Sequence, residues 1–305
     1  MTKNIHATLA LILFLAAGLV LAPRLSPTLT RSQTLSPVKG SDSAGPEHKK
    51  TKGYKMFFEN LPHGFEIPNN DTGDLLLREY GAVYLSRNGA VPPTKVIFRD
   101  DEEVRKFQTS VGTSSENIGG IEITLQTAAM TALRSAIAEA RTLGLSITPR
   151  GADSGRRSYG QTEKLWASRV VPGMAYWTSK GRVTPDQARR IGSMGPFEQV
   201  PEILGLEKQG IFFAKDLSKS IIYSVAPPGS SQHLAMLALD VARFDDPRVR
   251  SLLAKHRWYQ TVVSDLPHFT YLGVEESGLP SLGLKKVINS DRVFWVPDIG
   301  PNVTF

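Results

Sequence analysis

Pro227-Pro228-Gly229-Ser230-Ser231-Gln232-His233, carried on by Ala238-Leu239-Asp240, decides the reading of this chain together with Asp265-Leu266-Pro267-His268-Phe269-Thr270-Tyr271. Two histidines and one carboxylate, with a fourth position open to water, are the donor set of a catalytic zinc site. The chain has no cysteine, so the side chains open to a zinc ion are His, Asp and Glu. Ligands of one zinc lie about 3 Å apart, because each bond is about 2 Å. A straight helix would hold His233 and Asp240 about 10 Å apart, and a straight strand about 23 Å apart. The chain must therefore bend between them. The Pro-Pro-Gly run ahead of His233 suits a loop that delivers it towards a strand carrying Asp240. Asp265 stands three residues before His268, where a carboxylate can take a proton from water activated at a metal and return it to a leaving amine.

The other histidines carry less. Of the six, His6, His48 and His63 lie in stretches without chemistry around them, and His256, after a helical run and before Trp258, reads as structural. Trp258, Tyr259, Phe269 and Tyr271 read as core strand positions. A serine-nucleophile pattern, Ser36-Pro37-Val38-Lys39, is a chance match in a stretch with no apolar periodicity, and no Gly-x-Ser-x-Gly is present.

Outward from the motif, the local signals are mixed. Leu75–Leu85 reads as a strand, Asn88-Gly89 as a turn and Lys95–Phe98 as a second strand, with a short helix over Asp100–Gln108. Leu125, Ala129, Ala132, Leu133, Ala136, Ile137 and Ala140 recur at helical spacing, and Gly144 closes that helix. Leu145–Ile147 reads as a strand. Pro149 to Gly160, with three glycines, is the place for a functional loop. Helices are expected over Gln161–Val170, from Thr184-Pro185, and from Asp246-Pro247 to about His256. Strands are expected at Ser220–Val225, Leu237–Val241, Trp258–Val263 and His268–Leu272. Without regular βαβ alternation, the pattern predicts an α+β fold with a mainly antiparallel central sheet and helices.

The first 22 residues carry Lys3 and then an apolar run from Ala7 to Ala22, the form of a secretory signal peptide or a membrane anchor. Residues 23–53, rich in Pro, Ser, Thr and Lys, read as a disordered linker. The net charge of +7 sits mainly in this part: residues 1–53 hold seven basic and two acidic side chains. A nucleic-acid binder would concentrate charge on its folded part, so no nucleic-acid partner is expected. The excess reads as a basic tether beside a membrane or an anionic wall. The remaining divisions expected are a β-rich accessory subdomain over 54–115, a zinc peptidase domain over 116–273 and a C-terminal extension over 274–305.

The motif resembles that of the zinc D-alanyl-D-alanine carboxypeptidase family, the VanY-like and VanX-like peptidases, which share a fold with the Hedgehog signalling domain. The family pattern is Ser-x-His, two residues, Gly-x-Ala-x-Asp, then Glu-x-x-His. Ser231, His233, Ala238, Asp240 and His268 match it, and Asp265 stands at the Glu. Upstream, Ser154-Gly155-Arg156-Arg157-Ser158 resembles the family's Ser-Gly-Tyr-Arg-Ser, with Gln161 four residues after Arg157. The resemblance spans Ile121 to Gly273 and implies a Hedgehog/DD-peptidase-like fold. It implies Zn2+ held by His233, Asp240 and His268, with Asp265 as catalytic acid/base. Arg157 would sit on the scissile carbonyl oxygen, and Ser231 and Gln161 on the substrate. The substrate implied is the stem peptide of peptidoglycan, cut as a D,D-carboxypeptidase. A peptidoglycan endopeptidase of the same fold, or a non-catalytic wall-binding scaffold, are the alternatives. The protein would be exported to the periplasm or cell envelope, with residues 7–22 as an inner-membrane tether if uncleaved. Two departures stand out: Met236 occupies the family's Gly position, and Asp265 is one methylene shorter than Glu.

Overall fold

In the computed structural model, the described residues are 52–300. The expected signal or anchor and all but the end of the expected linker lie outside them. Among the described residues, no helix is long and apolar enough to cross a membrane.

The architecture is α+β with small antiparallel sheets. In chain order, helices α1 (Lys52–Glu59), α2 (Asp71–Tyr80) and α3 (Asp101–Ser110) precede a hairpin of β1 (Thr113–Ile118) and β2 (Ile121–Gln126). Helices α4 (Thr127–Thr142), α5 (Tyr159–Ser179), α6 (Pro185–Gly192) and α7 (Pro196–Glu207) follow. Then come β3 (Ala238–Asp240), α8 (Pro247–Lys255), β4 (Trp258–Tyr259) and β5 (His268–Tyr271), and a closing hairpin of β6 (Leu284–Asn289) and β7 (Arg292–Pro297). The sheet that matters for the site has the order β3-β5-β4, antiparallel throughout.

The region 54–115 is not β-rich. Its Leu75–Leu85 stretch is α2 followed by a 3-10 turn, Gly81–Leu85, and Lys95 makes only an isolated bridge with Glu66. The helix start is specified locally: the Asn70 side chain accepts from the Gly73 N–H at 2.9 Å, and Asp71 and Asp74 fill the first turn. The run Leu75-Leu76-Leu77 is buried whole, which hides the helical period that a half-buried helix would display. Two further expected strands are absent. Residues 145–147 form no strand, the Leu145 N–H turning back to the Ala140 carbonyl, and Ile221–Tyr223 is a 3-10 turn closed by local bonds such as Ser224 N–H to the Ile221 carbonyl. The strand expected over Trp258–Val263 stops at Tyr259.

The helices that the apolar spacing did specify are present. In α4, Ala129, Met130, Leu133, Ala136 and Ala140 form the buried face. The start of α5 carries a capping box, Ser158 accepting from the Gln161 N–H and Gln161 from the Ser158 N–H. One continuous apolar core joins α2, α4, α5 and the β3-β5-β4 sheet, with Leu76, Leu133, Trp166, Leu239, Trp258 and Phe269 all fully or nearly fully buried in it. At about 25 cal/mol per Å² of apolar surface, each such Leu or Phe contributes roughly 2 to 3 kcal/mol. The site is therefore seated on the rigid part of the molecule.

Candidate metal centre

The antiparallel register of β3 and β5 places Asp240 directly opposite His268. Directly opposed residues have their Cβ atoms about 5 Å apart, so two of the three expected ligands are neighbours by sheet geometry alone. The third arrives on a turn. Gln232–Ala235 forms a 3-10 turn, and Met236 ends it in the left-handed conformation, φ 55° and ψ 31°. That turn reverses the chain into β3 and brings His233 back over Asp240. The left-handed region is where glycine is favoured, which gives the physical meaning of the Met236 departure. The methionine is fully buried, and the packing of its side chain offsets a backbone cost of about 1 to 2 kcal/mol. Its carbonyl accepts from Gln126 N–H at 3.0 Å, and the Gln126 side chain donates to the Ala235 carbonyl at 2.7 Å, so the turn is held on both sides. Ahead of it, Gly229 lies so close to Phe98 that a Cβ would fall 1.9 Å from the Phe98 carbonyl oxygen, which bars any other residue there.

His233, Asp240 and His268 each offer a ligand atom, and these atoms lie within 4.8 Å of one another. Asp240 Oδ1 is 3.3 Å from His233 Nε2 and 3.3 Å from His268 Nδ1. The two rings cross edge to face, 4.9 Å between centroids. What surrounds each ring settles its tautomer. His233 Nδ1 is 2.8 Å from the Gly155 carbonyl, which can only accept, so its proton is on Nδ1 and Nε2 keeps a lone pair. His268 Nε2 is 2.9 Å from Gln232 Oε1, which the same residue's Nε2 identifies as the oxygen by donating to the Tyr80 carbonyl at 2.8 Å. With Nε2 as the donor, the neutral His268 ring keeps its lone pair on Nδ1. Two lone pairs and a carboxylate oxygen converge on one point with no hydrogen between them, and His233 Nε2 is a buried atom without a hydrogen-bond partner. The three groups are able to hold a metal ion, and far-side N–H contacts of this kind are what orients metal-bound histidines in general.

The electrostatics run the same way. Burial pushes the His233 imidazole below its ordinary pKa and keeps it neutral, with Asp240 opposing. Burial alone would disfavour the Asp240 anion, and it takes positive charge on the side of the two rings to outweigh burial and hold the carboxyl below the usual range, a charge that neutral imidazoles do not themselves supply. The second Asp240 oxygen, Oδ2, accepts from Arg157 Nη2 at 2.7 Å. Each oxygen thus has its own duty, one towards the cluster and one towards the guanidinium.

The loop expected to be functional is the scaffold of this cluster. Arg150 N–H donates to the Asp240 carbonyl at 3.0 Å, Asp240 N–H to the Ser154 carbonyl at 3.0 Å, and Arg157 N–H to the His233 carbonyl at 3.3 Å. Residues 150–157 therefore lie along the free edge of β3 and reach the ligand turn. Gly155 is needed for that approach: a Cβ would sit 2.9 Å from Ile123 Cγ2 and 3.1 Å from the Thr124 carbonyl oxygen.

The cluster lies in a cleft of about 460 Å³ whose lining includes Arg157, Ser231, Asp265 and Tyr80. Asp265 is exposed in the turn before β5, and among the described residues no hydrogen bond or ion pair engages its carboxylate. Arg157 is mostly buried and already bonded to Asp240 and to the Asp153 carbonyl. Ser231 is buried at the cleft wall. Gln161 is not brought to the cleft: it is exposed and its carboxamide is spent on the capping box. Two residues that sequence reading left without a role, Gln232 and Gly155, hold the ligand rings. Adjacency to His233 is the only signal for Gln232, and the Gly-rich loop for Gly155. No family model matches the chain, and neither does any curated protein or solved structure.

Proposed function

We propose that this protein is a zinc-dependent peptidase of Hedgehog/DD-peptidase-like fold that acts on peptidoglycan stem peptides, most simply by removing the terminal D-alanine. The observation that carries the reading is the convergence of two imidazole lone pairs and the Asp240 carboxylate on one donor-free point at the floor of a cleft. His233, Asp240 and His268 would hold the ion. When bound, zinc supplies Lewis acidity that polarises a carbonyl and makes water nucleophilic at neutral pH. Zinc is the ion this reading assigns, supported by a donor set of two imidazoles and one carboxylate and by the family resemblance.

The chain's own residues supply the rest. Asp265 stands free at the cleft, where its carboxylate takes the proton of the attacking water and passes it to the departing amine. Arg157 fixes Asp240 through Oδ2 and places a permanent positive charge beside the ligand carboxylate, where it stabilises negative charge developing on a substrate oxygen. Gly155 and Gln232 hold the imidazoles in their ligand tautomers, so no reorganisation is needed at the moment of reaction. Location outside the cytoplasm, in the periplasm or cell envelope, belongs to the same proposal, with the apolar segment 7–22 as signal or tether.

The test is mass spectrometry of a pentapeptide-stem muropeptide incubated with the protein, with chelator, and with zinc restored. Loss of one terminal alanine that the chelator stops and zinc restores is the expected result. A cut elsewhere in the stem keeps the peptidase and makes it an endopeptidase. Intact substrate and intact cross-linked sacculi with metal-loaded protein would overturn catalysis in favour of a binding scaffold.

A further inference from the structure

The cleft has a second charged feature, set back from the ligands. One wall is α5, whose Thr162, Leu165 and Arg169 all line it. Spacings of three and seven residues put these side chains on one helix face. Thr162 stands beside the ligand loop, its Oγ1 3.4 Å from the Gly229 N–H, four residues ahead of His233. Arg169 lies about 10 Å farther along the helix axis.

The guanidinium of Arg169 is held, but by neutral groups. Its Nε donates to Ser224 Oγ at 2.9 Å and its Nη1 to Ser168 Oγ at 2.9 Å. Among the described residues it has no carboxylate partner. Arg157 in the same cleft differs, being ion-paired with Asp240. An arginine has five N–H donors, so three remain on Arg169, one on Nη1 and two on Nη2. A side chain fixed by two hydroxyls, half-buried in a cleft wall and still carrying a free pair of parallel donors, is built for a planar anion.

We infer that Arg169 is a specificity-determining residue that binds a carboxylate of the peptide substrate through Nη1 and Nη2, an assignment that rests on the peptidase reading. The carboxylate comes either from the peptide's C-terminus or from an acidic residue within it, and the experiment separates the two. Ser224 and Ser168 act as positioning residues, turning the free edge of the guanidinium to the cleft.

The test uses zinc-loaded full-length protein and three stem pentapeptides: all carboxylates free, the terminal one amidated, and the internal one amidated. Wild type, Arg169→Met and Arg169→Lys are compared by kcat/KM, and zinc content checks that each variant is folded and loaded. Wild type should lose about 10- to 100-fold on one of the amidated peptides, the range of a charge-assisted pair, chiefly in KM. Arg169→Met should lower the free peptide to that same level and leave the amidated peptide unchanged, and Arg169→Lys should recover part of the difference. Terminal amidation as the sensitive change identifies the C-terminal carboxylate, and internal amidation the side-chain acid. Cleavage with undiminished discrimination in Arg169→Met, or with none in wild type, overturns the inference and leaves the peptidase standing. If wild type cleaves none of the peptides, the peptidase reading falls, and calorimetric binding of the same peptides decides: loss on amidation that vanishes in Arg169→Met upholds the anion site, and equal binding overturns it.

Discussion

Two groups of histidine and carboxylate occur in this molecule, and they are built on opposite principles. On the surface, Glu139 of α4 meets Lys255 and His256 at the end of α8. Lys255 Nζ donates at 2.6 Å, and His256 Nε2 lies 2.9 Å from the other carboxylate oxygen. Donors face an acceptor, so the group is complete and clamps two helices together. In the cleft, His233 and His268 turn their N–H groups away, to Gly155 and Gln232, and present lone pairs to Asp240. Acceptors face an acceptor, an arrangement able to hold a metal ion. Nearness of His to Asp or Glu therefore says little about metal binding. The destination of the other ring nitrogen decides it.

The sharpest break of that contrast is at the ligands. His268→Ala should abolish zinc binding, read by metal analysis after dialysis, and His256→Ala should leave zinc content untouched. Zinc retained by His268→Ala would remove the metal centre. Asp265→Ala comes next. On the proposed function its carboxylate transfers the proton and is not a ligand, so turnover should fall about 10²- to 10⁴-fold with zinc still bound. Retained turnover would take the acid/base role from it.

Gln232→Ala tests the ring orientation itself. It removes the acceptor that fixes His268 and should weaken zinc affinity about 10- to 100-fold in a competitive chelator titration. An unchanged affinity would show that β5 alone orients the ring. The smallest effect belongs to the surface clamp. Lys255 and, after it, His256 hold the Glu139 carboxyl below its ordinary value of 4.5. A lowered folded-state pKa gives stability that is present above the ordinary value and lost as pH falls through the folded one. Glu139→Gln should thus lower the Tm slightly at neutral pH, and the gap should close in acid below the folded value. A gap that persists there would mean that packing, not charge, makes the contribution. The effect is small because the carboxylate is solvated and screened.

Sequence by itself determined what depends on neighbours along the chain. The apolar spacing of Ala129, Leu133, Ala136 and Ala140 made α4, the Asp246-Pro247 start made α8, and the residue types at 233, 240, 265 and 268 nominated a metal chemistry. The requirement for a bend between His233 and Asp240 is met by the left-handed residue Met236, although glycine was the residue to expect there. Where a segment is buried on every side, as Leu75-Leu76-Leu77 is, no polar position marks the helical period, and the run reads as a strand although it folds as α2. Tertiary structure alone decided the partners that give the site its meaning. Gly155 lies 78 residues from His233, and Gln232 lies 36 from His268. Arg169 joins the cleft only through the phase of α5. The physical reason is that periodicity and capping act over a few residues, whereas a proton's position on an imidazole is set by whichever distant carbonyl or amide the packed core brings within about 3 Å.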